Sequence, residues 1–164
     1  MAVREIRLFG DPVLKAATES VDATSDRARD VVSDLLDTVA LPGRAGVAAN
    51  QIGVGLSVFS YNIDGDIGYI INPSELEVWG EEEEVPEGCL SVPGLTFPRR
   101  RFTHAQVTGD TLEGERVVVE GEGLMAQALQ HEMDHLRGVL YFEGLDPEFK
   151  REALKAIRES EWFA

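Results

Sequence analysis

Apolar positions recur with a helical period between residues 25 and 41 (SDRARDVVSDLLDTVAL), where Val31, Leu35, Leu36 and Val39 fall on one side. That spacing predicts an N-terminal helix, capped by Ser25 or Thr24, acidic in its first turn and stopped by Pro42-Gly43. The pattern then changes. Two β-prone runs, LSVFSY at 56–61 and IGYIIN at 67–72, flank Asp64-Gly65 and predict an antiparallel hairpin. Further short strands are expected at 75–79, 104–110 and 115–120. Gly121 and Gly123 open a second helical stretch of good helix formers, LMAQALQHEMDHLR, closed by Gly138. Asp146 as N-cap and Pro147 at the first helical position start a C-terminal helix that runs to about Ser160. No internal repeat or linker divides the chain. Strands set between helical stretches predict a single α+β domain over residues 1–164.

Composition fits that picture, with 43% hydrophobic and 27% charged residues in 164. No apolar run approaches the ~18–20 residues of a membrane span, and charges interrupt the N-terminus where a secretory signal needs an apolar core. A cytoplasmic location without membrane contact is therefore expected. The formal charge of -15 repels phosphate backbones and argues against specific nucleic-acid binding. Its distribution is uneven. Residues 45–98 hold nine acids and no base, including the run Glu81–Glu84, whereas residues 147–164 are neutral with four of each sign. Such a like-charge run is expected to form a solvated, poorly ordered loop. The single cysteine, Cys89, cannot form an internal disulfide, which suits a reducing compartment and leaves its thiol available.

The chemistry concentrates in His131-Glu132-Met133-Asp134-His135, an H-E-x-x-H inside the second helix. Residues four apart share a face, so both imidazoles can reach one cation while the Glu132 carboxylate remains free for a water. A catalytic centre of this kind usually needs a third protein ligand. The metzincin pattern would place a histidine where Tyr141 stands, which disfavours that class. A downstream acid (Glu143, Glu148, Glu152, Glu159 or Glu161) would give a zinc endopeptidase of thermolysin type, and Cys89 would give a Cys-His-His shell with one open position. A structural metal in a non-catalytic protein is the third reading.

Three segments resemble, in order, the motifs of bacterial peptide deformylases. They are Gly46-Val47-Ala48-Ala49-Asn50-Gln51, Glu87-Gly88-Cys89-Leu90-Ser91 and Gln130-His131-Glu132-Met133-Asp134-His135, and the similarity extends from about Asp11 to Gly144. Arg44 stands where many members have glycine, and Val47 where leucine is usual. The resemblance implies an α+β fold of short, mostly antiparallel strands around a central helix carrying H-E-x-x-H. It implies that Cys89, His131 and His135 hold one Fe(2+), with Zn(2+), Ni(2+) or Co(2+) as substitutes, and that Glu132 serves as general base and acid. Gln51 and the Leu90 N–H would stabilise an oxyanion. The implied activity is removal of the formyl group from N-formylmethionyl peptides, with Ala45 and Gly46 pairing with the peptide backbone. Val85, Leu124, Ala128 and His131 would line the pocket for its first side chain. Work on nascent chains further implies contact with the ribosome, for which the C-terminal helix offers Lys150, Arg151, Lys155 and Arg158.

Overall fold

Alternation of buried residues along the central strands divides the core in two. The computed structural model describes residues 2–163. Five antiparallel strands form one sheet in sequential order: β1 (Gly46–Ala48), β2 (Val58–Ile63), β3 (Asp66–Cys89), β4 (Val92–Asp110) and β5 (Arg116–Glu122). Val58 and Ile71 point to one face, where they meet Ala28, Val31, Val32, Leu35 and Val39 of α1 (Asp26–Val39). Their neighbours Phe59 and Ile70 point to the other, against Ala126, Leu129 and Met133 of α2 (Gly123–Leu136). A period of two on the strands thus meets a period of 3.6 on each helix. A third cluster joins Tyr141, Phe142 and Leu145 to Ala153 and Ile157 of α3 (Pro147–Glu159).

The expected helices form within a residue or two of their predicted ends. The Ser25 hydroxyl accepts from the Ala28 N–H and caps α1. Gly138, with φ +78°, follows the end of α2, where a Cβ would lie 2.5 Å from the Lys15 carbonyl oxygen. Asp146 is followed by Pro147 at the first position of α3, but its side chain makes no cap bond and instead holds Arg100. The hairpin turns on Asp64-Gly65 alone, both residues at positive φ (52° and 89°), as a tight two-residue connection requires.

The strands differ most from expectation. Residues 75–79 and 104–110 are parts of two much longer strands, and Glu81–Glu84 lie within β3 instead of in a loop. Ladder pairing places Glu83 opposite Arg101 and Glu84 opposite Arg100, and alternation sends successive carboxylates to opposite faces, so the exposed run is split by geometry, while the two guanidinium groups themselves hold Glu87, Asp134 and Asp146. Pro86 and Pro98 pair across the same ribbon, beyond the stretches where β2 or β5 adds a third strand. Each strand there has a free edge, where the missing N–H of proline is tolerated. Shifts of register between Ile71 and Ser74, and again between Glu87 and Cys89, bend this ribbon.

Candidate metal centre

The β3–β4 ribbon ends in a tight turn that pairs Cys89 with Val92 and delivers the thiol to α2. Helical spacing puts His131 and His135 on the facing side of that helix. Cys89 Sγ lies 3.3 Å from His135 Nε2, which lies 3.1 Å from His131 Nε2, and the three donor atoms fall within 4.8 Å of one another. Ligands at ~2.0–2.3 Å from one tetrahedral ion are separated by distances of this order. Among the described residues this is the one group of three or more such side chains close enough to share an ion. The downstream acids do not approach it; Glu143, for example, bonds Lys15 and the Leu140 N–H.

A carboxylate behind His131 fixes its orientation, whereas His135 Nδ1 is buried without a hydrogen-bond partner among the described residues. Glu87 Oε2 lies 2.8 Å from His131 Nδ1. Burial alone would raise the Glu87 pKa, but hydrogen bonds from Arg101 and His131 outweigh it and hold the carboxyl well below its usual range. An ionised carboxylate can only accept, so His131 Nδ1 carries a proton and Nε2 faces the cluster; burial would lower the pKa of this ring, but Cys89 and Glu87 outweigh it and hold the metal-free imidazole well above its ordinary range. Arg101, itself buried, grips Glu87 through Nε and Nη2 at 2.9 and 2.6 Å and gives Nη1 to Asp134 at 2.9 Å. His135, held well below its ordinary pKa by burial and by the neighbouring His131, stays neutral, the form in which imidazole binds metals.

Beside the cluster sits Glu132, 2% exposed, with Oε1 buried and without a hydrogen-bond partner among the described residues. Burial raises its pKa to about 7, the range in which one group can both take and return a proton near neutrality. Gln51 enters from the short 3-10 turn Ala49–Ile52. Its Oε1 accepts from the Ala48 N–H at 3.0 Å, which aims Nε2 at Ser91 Oγ (3.1 Å) and, more weakly, at Cys89 Sγ (3.7 Å). These groups line a cleft of about 470 Å³.

A cysteine sulfur, two histidines and a buried acid without a partner among the described residues form a set suited to a hydrolytic metal beside a cleft, and the comparisons agree. The model of the polypeptide deformylase family matches residues 3–151. The peptide deformylase of Acidothermus cellulolyticus is 48% identical over 162 residues, covering 99% of this chain and 89% of that protein. The chain belongs to the polypeptide deformylase family. Two deformylase crystal structures share its fold. That from Legionella pneumophila is 33% identical with a TM-score of 0.87, covering 96% of this chain and 95% of that one. That from Ehrlichia chaffeensis, in complex with actinonin, is 28% identical with a TM-score of 0.87, covering 98% and 99%. None of the helices in the described residues is long and apolar enough to cross a membrane.

For a deformylase, the residues singled out in the sequence converge well, with one correction. Ala45, Gly46, Gln51, Cys89, Leu90, Leu124, Ala128, His131 and Glu132 all line the cleft. Val85 does not; it sits in a separate groove with Thr96, Phe97 and Pro98, while the cleft is reached by Pro86 and Glu87 farther along the strand. Sequence reasoning also passed over Arg101, Ser91 and Gln127. Ser91 lies inside a quoted motif and Arg101 inside Arg99-Arg100-Arg101, but no spacing rule says which arginine turns inward. Gln127, one turn before His131, ties α2 to β3 through Pro86 O and Glu87 Oε1 at 3.1 and 3.2 Å.

Proposed function

We propose that this chain, working as one catalytic domain, is a metal-dependent hydrolase that removes the formyl group from N-formylmethionyl peptides and releases formate. The observation that carries the reading is the unpartnered, buried Glu132 carboxylate beside the Cys89, His131 and His135 donors. Those three residues would hold one divalent cation, for which Fe(2+) is our assignment, with Zn(2+), Ni(2+) and Co(2+) as substitutes. When bound, such a cation supplies Lewis acidity that makes water a nucleophile near neutral pH.

The chain's own groups do the rest. Glu132 takes the proton of the attacking water and later returns one to the leaving amine, a double role that its pKa of about 7 allows. The oxyanion formed at the formyl carbon is met by the Leu90 N–H and by Gln51 Nε2, whose long contact to sulfur is the bond most easily exchanged. The peptide adds to the open edge of β1, against the backbone of Ala45 and Gly46, and its first side chain enters between Leu124 and Ala128. A deformylase of the same fold, 28% identical, has been crystallised in complex with actinonin, which supports ligand binding by a protein of this fold.

This reading places the enzyme in the cytoplasm near the ribosome, reached weakly through α3. Lys150, Arg151, Lys155 and Arg158 are all exposed there. Deleting residues 147–164 would strip Ala153 and Ile157 from the core, so the test is replacement of the four cations by glutamate. Ribosome co-sedimentation at low salt should fall, and unchanged co-sedimentation rejects the contact.

The activity is tested with formyl-Met-Ala and iron-reconstituted protein. Formate release is expected, slowed roughly 10²–10⁴-fold in Glu132→Gln. No formate from the iron-containing wild type overturns the proposal.

A further inference from the structure

One residue of the cleft is not absorbed by the deformylase reading, on which the following rests. Arg44 is the only lysine or arginine between residues 30 and 98, a stretch rich in acids, and it is the only one lining the cleft. Its guanidinium is steadied by a single bond, Nη1 to the Thr38 carbonyl oxygen at 3.0 Å near the end of α1, and it forms no ion pair among the described residues. A guanidinium has about five N–H donors in a fork matched to carboxylates. All but one are therefore without a protein partner while the group faces the cleft.

Placement along β1 tells what passes it. Gly46 stands against the catalytic carboxylate, since a Cβ there would lie 2.6 Å from Glu132 Oε2. β1 is the outermost strand, paired on one side only, with β2. A peptide whose first residue lies level with Gly46, its formyl group reaching past it toward Glu132, and whose chain continues toward Arg44 runs antiparallel to β1. Arg44 precedes β1 by two residues, and the bond from the Asn62 N–H to the Ala45 carbonyl oxygen (2.8 Å) carries the pairing with β2 one residue past Gly46, so an extended peptide brings its third residue level with Arg44.

We infer that Arg44 is a specificity-determining residue that favours a carboxylate side chain at the third position of the formyl peptide. The overall charge of -15 works the other way, drawing cationic peptides toward the molecule, but salt screens it over about 10 Å at 0.1 M, whereas a guanidinium beside a bound carboxylate acts at contact. The two effects predict opposite preferences and can be separated.

The experiment compares formyl-Met-Ala-Glu-amide, formyl-Met-Ala-Ala-amide and formyl-Met-Ala-Lys-amide on the iron enzyme at 0.1 M salt, with the wild type beside Arg44→Lys and Arg44→Glu. The wild type should prefer Glu over Lys by about 3-fold in kcat/KM, an effect of the size exposed charge pairs produce and carried by KM. Arg44→Lys should keep the direction of the preference, and Arg44→Glu should invert it, a result that partial misfolding cannot give. An equal Glu-to-Lys ratio in the wild type and Arg44→Glu overturns the inference alone. Absence of formate from all three peptides overturns the deformylase reading and this inference with it.

Discussion

A Cβ at residue 46 would lie 2.6 Å from Glu132 Oε2 and 2.9 Å from its carboxyl carbon, so the glycine of the first motif is the space in which the acid of the third motif stands. The backbone of β1 and the carboxylate proposed to move the proton thereby approach closely, with no room for a side chain at residue 46. Gly46→Ala should displace the carboxylate more than the fold, because the clash is with the end of a side chain. Formate release is expected to fall at least tenfold, about 1.4 kcal/mol in the barrier, with a smaller change in unfolding free energy. Equal activity in the two proteins would show that the close approach has no catalytic consequence.

Glu87 joins the histidine to the buried arginine, and removing its charge has two consequences. Glu87→Gln leaves Arg101 buried with only Asp134 as counter-charge, which should lower stability by about 3–5 kcal/mol in urea unfolding. It also releases His131 Nδ1 from a carboxylate, which should weaken metal binding roughly 10–100-fold in a competitive chelator titration. Were only stability affected, the orienting role of Glu87 would be lost.

Glu132 works against the stability of the metal-free protein. Its pKa is raised from 4.5 to about 7 by burial, so between those values the native state keeps a proton that the unfolded state releases. Stability therefore declines as pH rises from about 4.5 to 7, and the full loss, roughly 3 kcal/mol, is present above pH 7. Glu132→Gln should stabilise the metal-free protein at pH 8 and lose that advantage toward pH 4. Denaturant melts at the two pH values check this, and a pH-independent difference contradicts it.

Cys89 supplies the one sulfur of the centre. Cys89→Ala should purify without stoichiometric metal by elemental analysis while retaining a cooperative thermal transition. Peroxide should inactivate the iron protein, because a sulfur carried to sulfinic acid no longer serves as ligand. Activity unaffected by peroxide with iron still bound would argue against the sulfur ligand.

Local physical chemistry made the helices legible in the sequence. Ser25, Pro42, Gly138 and Pro147 mark helix ends through hydrogen bonds and backbone limits set by near neighbours, and four-residue spacing places His131 and His135 on one face whatever surrounds them. The turn at Asp64-Gly65 is legible for the same reason. Non-local pairing decided the rest. Glu81–Glu84 and the prolines at 86 and 98 read locally as irregular, and they become strand because β3 and β4 supply each other's hydrogen bonds and arginines stand opposite the acids. That pairing carries Cys89 across 42 residues of sequence to His131, turns Arg101 inward between Glu87 and Asp134, and leaves Val85 outside the cleft. Residue types and helical spacing determined which donors the chain possesses. Only the register of the long ribbon determined which of them meet, because a contact between distant segments depends on every residue that folds between them.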